Sequence, residues 1–123
     1  MTSEERELLI QLNKRVEQLE FRESLIIDGS NTSRILLDYN ITHPQYIHIM
    51  DIMDEYREKI SKNEEVNSAL FETKILNVVN EGLVTKDIRA DYHFCEYIAK
   101  SFMEDGRWSE VFPALYGDSP KYQ

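Results

Sequence analysis

The first 28 residues carry apolar side chains at alternating steps of three and four, and this spacing constrains the fold more than any other feature. The five apolar positions in the series are Leu9, Leu12, Val16, Leu19 and Ile26. With Leu9 as heptad position a, they fill five of six a and d positions, and Glu23 holds the sixth. The spacing places them on one side of an α-helix. We therefore predict a helix over residues 1–28 and name these five side chains the seam.

The seam predicts self-association through the N-terminal helix, with a docked helix as the alternative. A globular helix that packs on its own domain usually has a wider apolar face, and Leu8, Phe21 and Leu25 do widen this one. Glu23 on the seam would be costly if it were buried between like charges. We therefore expect the seam to open or end near residue 22.

The remainder of the chain predicts a compact all-α body. Only four glycines and three prolines occur in 123 residues, which is sparse for a turn-rich sandwich or barrel. The expected organisation is an N-terminal association helix at 1–28, a bundle of four to five helices at 33–116 and a flexible tail at 117–123.

Local signals set the expected helix boundaries. Thr42 and Gln45 form the pattern of a capping box at the start of a helix that runs to about Ser61. The other expected body helices cover about 33–39, 69–80, 88–104 and 107–116. Gly82 is expected to end the helix at 69–80, and Thr85 or Asp87 is expected to cap the helix at 88–104.

Side chains that could support chemistry are few. Cys95 lies in an apolar run and is predicted to be a buried structural thiol. His48, Asp51 and Glu55 share one helical face and could supply metal ligands, but any polar helix face produces this spacing. The chain contains no phosphate-binding loop or nucleophile motif. We therefore expect no catalytic residues, no metal and no cofactor.

Charge and hydropathy limit the classes of partner. The net charge is −9, and no stretch concentrates the 14 basic residues, so direct nucleic-acid binding is not expected. No continuous apolar run approaches the length of a membrane span, and no secretory signal is visible. The expected location is the cytoplasm.

Aromatic residues crowd the last third of the chain. Most are expected in the core, but their positions on two sides of the 88–104 helix leave room for an exposed partner patch. Our candidates for that patch are Tyr97, Trp108 and Tyr116.

The helical layout resembles the YhaI-like family of small uncharacterised helical proteins from Bacillus and relatives. The resemblance rests on residues 15–21, on Leu36 and Leu37 with the helix at 42–60, and on the block at 71–115 with its turn at 104–111. The longer region at 24–33 and the tyrosine-rich tail depart from the family pattern. The resemblance implies an all-helical fold and implies no activity.

Three functions fit these features. The first is a non-enzymatic interaction or assembly module that self-associates through its N-terminal helix and presents its body to a protein partner. The second is a small acidic phage or mobile-element inhibitor that binds the basic cleft of a host nucleic-acid-binding protein. The third is a small metal-binding or catalytic helical protein.

Overall fold

The computed structural model describes residues 1–80 and 90–117, which form six helices and no strand. The helices are α1 (Ser3–Asp28), α2 (Asn31–Asp38), α3 (His43–Ser61), α4 (Ser68–Val79), α5 (Tyr92–Glu104) and α6 (Val111–Tyr116). This arrangement confirms the all-α prediction: a long N-terminal helix followed by a compact bundle of shorter ones.

The core is built around α5. Its buried side chains Phe94, Cys95, Ile98 and Phe102 are all fully enclosed. Helix α5 packs against α2, α4 and α6, while α3 closes the bundle against α4 and α6. Helix α1 packs on α2, which lies between α1 and α5. The position of α1 therefore depends on how α2 is attached to the core.

Two local signals work as the sequence predicts. The Thr42 hydroxyl accepts a hydrogen bond from the Gln45 backbone N–H, and the Gln45 side chain accepts one from Thr42 in return. Gly29 ends α1 with φ at +62°, a left-handed conformation that glycine adopts without steric cost. The capping box and the glycine thus fix the ends of α3 and α1.

The start of α5 differs from the prediction of a helix from residue 88. Ala90 lies before the helix because its backbone N–H and carbonyl both bind the side-chain amide of Asn80, at 3.1 Å and 2.9 Å. Asp91 then caps α5 by accepting from the His93 backbone N–H at 3.0 Å. Long-range pairing with the end of α4 therefore delays the helix to Tyr92. The predicted signals Gly82, Thr85 and Asp87 lie outside the described residues.

A carboxylate at the end of α5 attaches α2 to the core. Asp105 accepts hydrogen bonds from the backbone N–H of Thr32 at 2.9 Å and from both the backbone and the side-chain amide of Asn31, at 3.3 Å and 3.1 Å. These donors belong to the first turn of α2, where an anion is favoured by the exposed N–H groups. Burial works to raise the pKa of Asp105, but the hydrogen bonds outweigh it and hold the pKa below its ordinary value.

We expect Asp105→Ala to lower the free energy of unfolding by roughly 1–2 kcal/mol at pH 7, because the first turn of α2 loses its acceptor. Because the pKa of Asp105 is lower in the folded chain, the charged carboxylate stabilises the fold. This contribution to the free energy of unfolding is complete above the ordinary pKa of 3.8 and is lost as pH falls through the pKa of the folded state. Denaturant unfolding of both proteins between pH 7 and pH 3 should show their difference narrowing below about pH 4.

Asp51→Ala is the matched control, since Asp51 is an exposed aspartate on α3. We expect this control to leave stability within about 0.5 kcal/mol of the native chain. A difference between Asp105→Ala and the native chain that stays constant down to pH 3 would show that the charge of Asp105 contributes nothing.

Candidate self-association surface

Among the described residues, helix α1 contacts the body through one face of its C-terminal part. Leu25 is buried, and the Phe21 ring stacks on the His43 ring with their centroids 4.9 Å apart. The Gln18 side chain donates to the Ile41 carbonyl at 3.3 Å, and Arg22 donates to the Asn40 side chain at 2.9 Å. We name Gln18, Phe21, Arg22 and Leu25 the docking face.

The N-terminal part of α1 extends beyond the body. Every residue from 1 to 17 is exposed, and the first partly covered side chain is Gln18. Helical residues 3–17 span about 22 Å at 1.5 Å per residue. Within the described part of the chain, more than half of α1 is therefore exposed to solvent.

The seam lies on the side of α1 that faces away from the body. At 100° per residue, its mean direction is roughly 140° from that of the docking face. Its five side chains retain between 44% and 66% of their accessible surface: Leu9, Leu12, Val16, Leu19 and Ile26. The described residues of the body cover none of them. Helix α1 does dock within its own chain, but it does so through a different face.

Apolar and charged side chains flank the seam. Leu8 and Ile27 are also exposed and extend the apolar surface at its two ends. Arg15 lies along one border of the seam and Glu20 along the other, and both are exposed. Glu23 is exposed on the seam line itself. The surface thus has an apolar centre with opposite charges on its two sides, as coiled-coil helices do.

The predicted aromatic patch requires correction at two of its three residues. Trp108 is only 8% exposed, and its indole N–H donates to the Asp54 carboxylate at 2.8 Å. Its φ of +47° is rare for a bulky residue, and burial against Phe102 holds the ring in place. Tyr116 is 7% exposed and donates its hydroxyl proton to Glu72 at 2.9 Å. Both residues therefore belong to the core.

Tyr97 is the candidate of this group that lies on the surface, at 45% exposure. Its ring stacks near that of His93, which in turn lies 4.0 Å from the exposed ring of Tyr92. Local sequence does not identify Trp108 as the buried residue of the two, because its immediate neighbours are the polar Arg107 and Ser109. The difference comes from Asp54, a polar partner on another helix.

The prediction of a buried thiol at Cys95 is confirmed. The side chain is fully enclosed, and its Sγ lies 3.7 Å from the Asp91 carbonyl and 3.9 Å from the Glu72 carbonyl. Burial, reinforced by the negative charge of Glu72, raises the pKa of the thiol to about 12. The thiolate needed for nucleophilic or metal-binding chemistry is therefore strongly disfavoured.

The described residues assemble no metal site. Within residues 1–80 and 90–117, no three histidine, cysteine, aspartate or glutamate side chains converge. Of the predicted set, His48 and Asp51 are exposed, and Glu55 accepts from Lys74. That hydrogen bond is the main reason that the pKa of Glu55 is lowered.

Two of the four carboxylates on α3 are paired with basic side chains of the same chain. Glu55 binds Lys74 and lies 3.7 Å from Lys59, and Glu58 binds Lys62 at 2.9 Å. A basic cleft on another protein would have to compete with these lysines. The acidic-inhibitor hypothesis therefore draws no support from this face.

A groove of about 700 Å³ runs between α1 and the start of α3. Lys14, Glu17 and Gln18 line one wall, and Thr42, His43 and Pro44 line the other. Its polar groups come from exposed side chains and the capping box. The groove follows from the way α1 leaves the body at Phe21.

No helix in the described ranges is both long enough and apolar enough to cross a membrane. Comparisons with models of protein families, with curated proteins and with solved structures find no match to this chain. The resemblance to the YhaI-like family therefore stays a prediction.

We expect the Cys95 thiol to react with a soluble thiol reagent only when the chain unfolds. Enclosure blocks access, and the raised pKa leaves little thiolate at pH 8. The measurement is the labelling rate in native buffer and in denaturant, with Ile10→Cys as a control that places a thiol at an exposed position. Equal labelling rates for Cys95 and the control thiol in native buffer would contradict the enclosed environment.

Proposed function

We propose that this protein is a non-enzymatic assembly module that self-associates by pairing the α1 seam with the same surface of a second copy. The observation that carries the proposal is the direction of the seam. Five apolar side chains in heptad spacing face away from the body to which their own helix is docked. A helix that served only to complete the core would present its apolar residues to the body.

Burial of the seam supplies a driving force. Complete burial of an exposed leucine or valine is worth roughly 1.5–3 kcal/mol, and about half of the surface of these side chains is already covered. Pairing would therefore gain on the order of 1 kcal/mol for each seam side chain. With five from each chain, the total is large enough to offset a moderate cost of association.

Pairing also stabilises the part of α1 that extends beyond the body. An isolated helix shorter than about 12–15 residues is marginal in water, because nucleation is costly. Residues 3–17 have good capping at Thr2 and two glutamates in the first turn, but no side chain among them is buried against the described body. A second helix along the seam provides the missing tertiary contacts.

The paired form leaves the body free to bind a protein partner. The docking face attaches each body on the side of α1 away from the seam, so association covers little of α3, α4 or α5. Exposed Tyr92 and Tyr97 on α5 then remain available for contact. Their amphipathic rings are typical of protein interfaces.

We expect Leu12→Glu and Leu19→Glu each to convert the assembly to monomers. In each variant, both copies would bring a glutamate into the apolar centre of the pair. Light scattering across a range of protein concentrations measures the mass. The fold should persist, since both side chains point away from the body, and circular dichroism checks this point. Point variants are preferable to a deletion of residues 1–28, because Leu25 belongs to the core.

Ile10→Glu is the matched control for these variants. Ile10 is 55% exposed on the same helix and Leu12 is 52% exposed, but Ile10 lies at heptad position b, off the seam. The control should retain the native mass. A native chain that is monomeric at all concentrations, or seam variants that keep the native mass, would overturn the proposed function.

A further inference from the structure

We infer that the two α1 helices pair parallel and in register, so that both bodies lie at the same end of the assembly. This inference rests on the proposed self-association and adds its orientation. Two observations carry it, the positions of the apolar side chains and the charges beside the seam, and the placement of the docking face then determines where the bodies lie.

The in-register parallel pair matches every apolar seam position with its own copy. In this arrangement a positions face a positions and d positions face d positions, so Leu9 faces the partner's Leu9, and Ile26 faces the partner's Ile26. The same holds for Leu12, Val16 and Leu19. The one unfavourable layer is Glu23, which faces the partner's Glu23.

Antiparallel pairs lose part of this match, because a positions then face d positions. If Leu9 faces the partner's Leu19, Ile26 falls opposite Thr2, and Glu23 faces Glu5 in two layers. If the helices slide by one heptad so that Leu9 faces the partner's Ile26, Leu12 falls opposite Glu23 in two layers. A parallel pair shifted by one heptad fails in a similar way, because Val16 then faces Glu23.

The flanking charges favour the same orientation. In a parallel pair, position g approaches position e of the next heptad on the other helix. Arg15 at g therefore approaches the partner's Glu20 at e, and symmetry produces this attractive pair twice. In the second antiparallel arrangement, Arg15 approaches the partner's Arg22 twice, and these like charges disfavour that form. In the first, Arg15 approaches the partner's Arg15 but Glu20 approaches the partner's Arg6, so the two layers of Glu23 against Glu5 are what disfavour it.

The middle of the seam suits two strands. In parallel coiled coils a β-branched residue at a with leucine at d favours two strands, and Val16 between Leu12 and Leu19 has that pattern, whereas Leu9 at a and Ile26 at d do not. Within the docking face, Gln18 and Leu25 occupy position c and Phe21 occupies position f, which are outer positions of a coiled coil. Arg22 occupies position g at the border of the seam. Each body therefore sits outside the pair, and the two bodies lie on opposite sides of one end.

Disulfide trapping of Leu9→Cys tests the orientation. In the parallel pair the two introduced thiols face each other and should form an intermolecular disulfide under mild oxidation. In either antiparallel arrangement, residue 9 of one copy and residue 9 of the other are about 15 Å or more apart along the helix axis, which is too far for a disulfide. We expect cross-linking at least about tenfold faster than for Ile10→Cys at the off-seam position. The native chain should not cross-link, because Cys95 is enclosed.

Mixtures of two cysteine variants test the antiparallel orientation. Leu9→Cys mixed with Leu19→Cys, or with Ile26→Cys, should form the mixed disulfide only in an antiparallel pair. Mixed disulfides without the Leu9→Cys homodimer would overturn the parallel inference and leave self-association intact. A dimeric mass without any seam disulfide would overturn the inference as well. A monomeric native chain would overturn the proposed function itself.

Discussion

The packing of Phe21 and Leu25 against the body determines what the rest of α1 can do. An α-helix is stiff over its length, so fixing the direction of residues 18–25 also fixes that of residues 3–17. Stacking of Phe21 on His43 and burial of Leu25 turn one face of α1 inward. Because the heptad series lies roughly 140° away, the same contacts turn the seam outward over the whole helix. A single orientation of α1 therefore both packs the docking face on the body and exposes the seam.

That orientation depends in turn on polar contacts at the start of α2. The Asp105 carboxylate binds the first turn of α2, and the Thr32 hydroxyl is hydrogen-bonded to the Ser101 hydroxyl at 3.1 Å inside the core. Asp28, at the end of α1, accepts from the Ser33 hydroxyl at 2.7 Å. Hydrogen bonds from Ser30 and Ser33 hold the pKa of Asp28 below its ordinary value. Two carboxylates therefore connect α1 to α2 and α2 to α5 through short side chains that have little freedom to move.

The sequence predicts those features that depend on neighbouring residues. The phase of the seam, the capping box at Thr42 and the glycine end of α1 follow from spacing and backbone preference, and the structure shows all three. The start of α5 and the burial of Trp108 depend on Asn80 and Asp54, which lie 10 and 54 residues away. No local pattern marks such pairs. Spacing alone also could not decide whether the seam faced the body, since that depends on where Phe21 finds His43.

In the proposed assembly, the two faces of α1 link association to the order of the helix. Residues 18–28 are held by the body whether or not a second copy is present, so they provide a nucleus from which the helix continues toward its N-terminus. Residues 3–17 extend that nucleus as exposed helix, and each added turn displays more of the seam. A second copy that binds the seam therefore meets a helix already aligned along most of its length, and less conformational entropy is lost on pairing than for a free peptide. This is the physical reason that a seam of about two and a half heptads, marginal in isolation, can support an assembly when it is attached to this body.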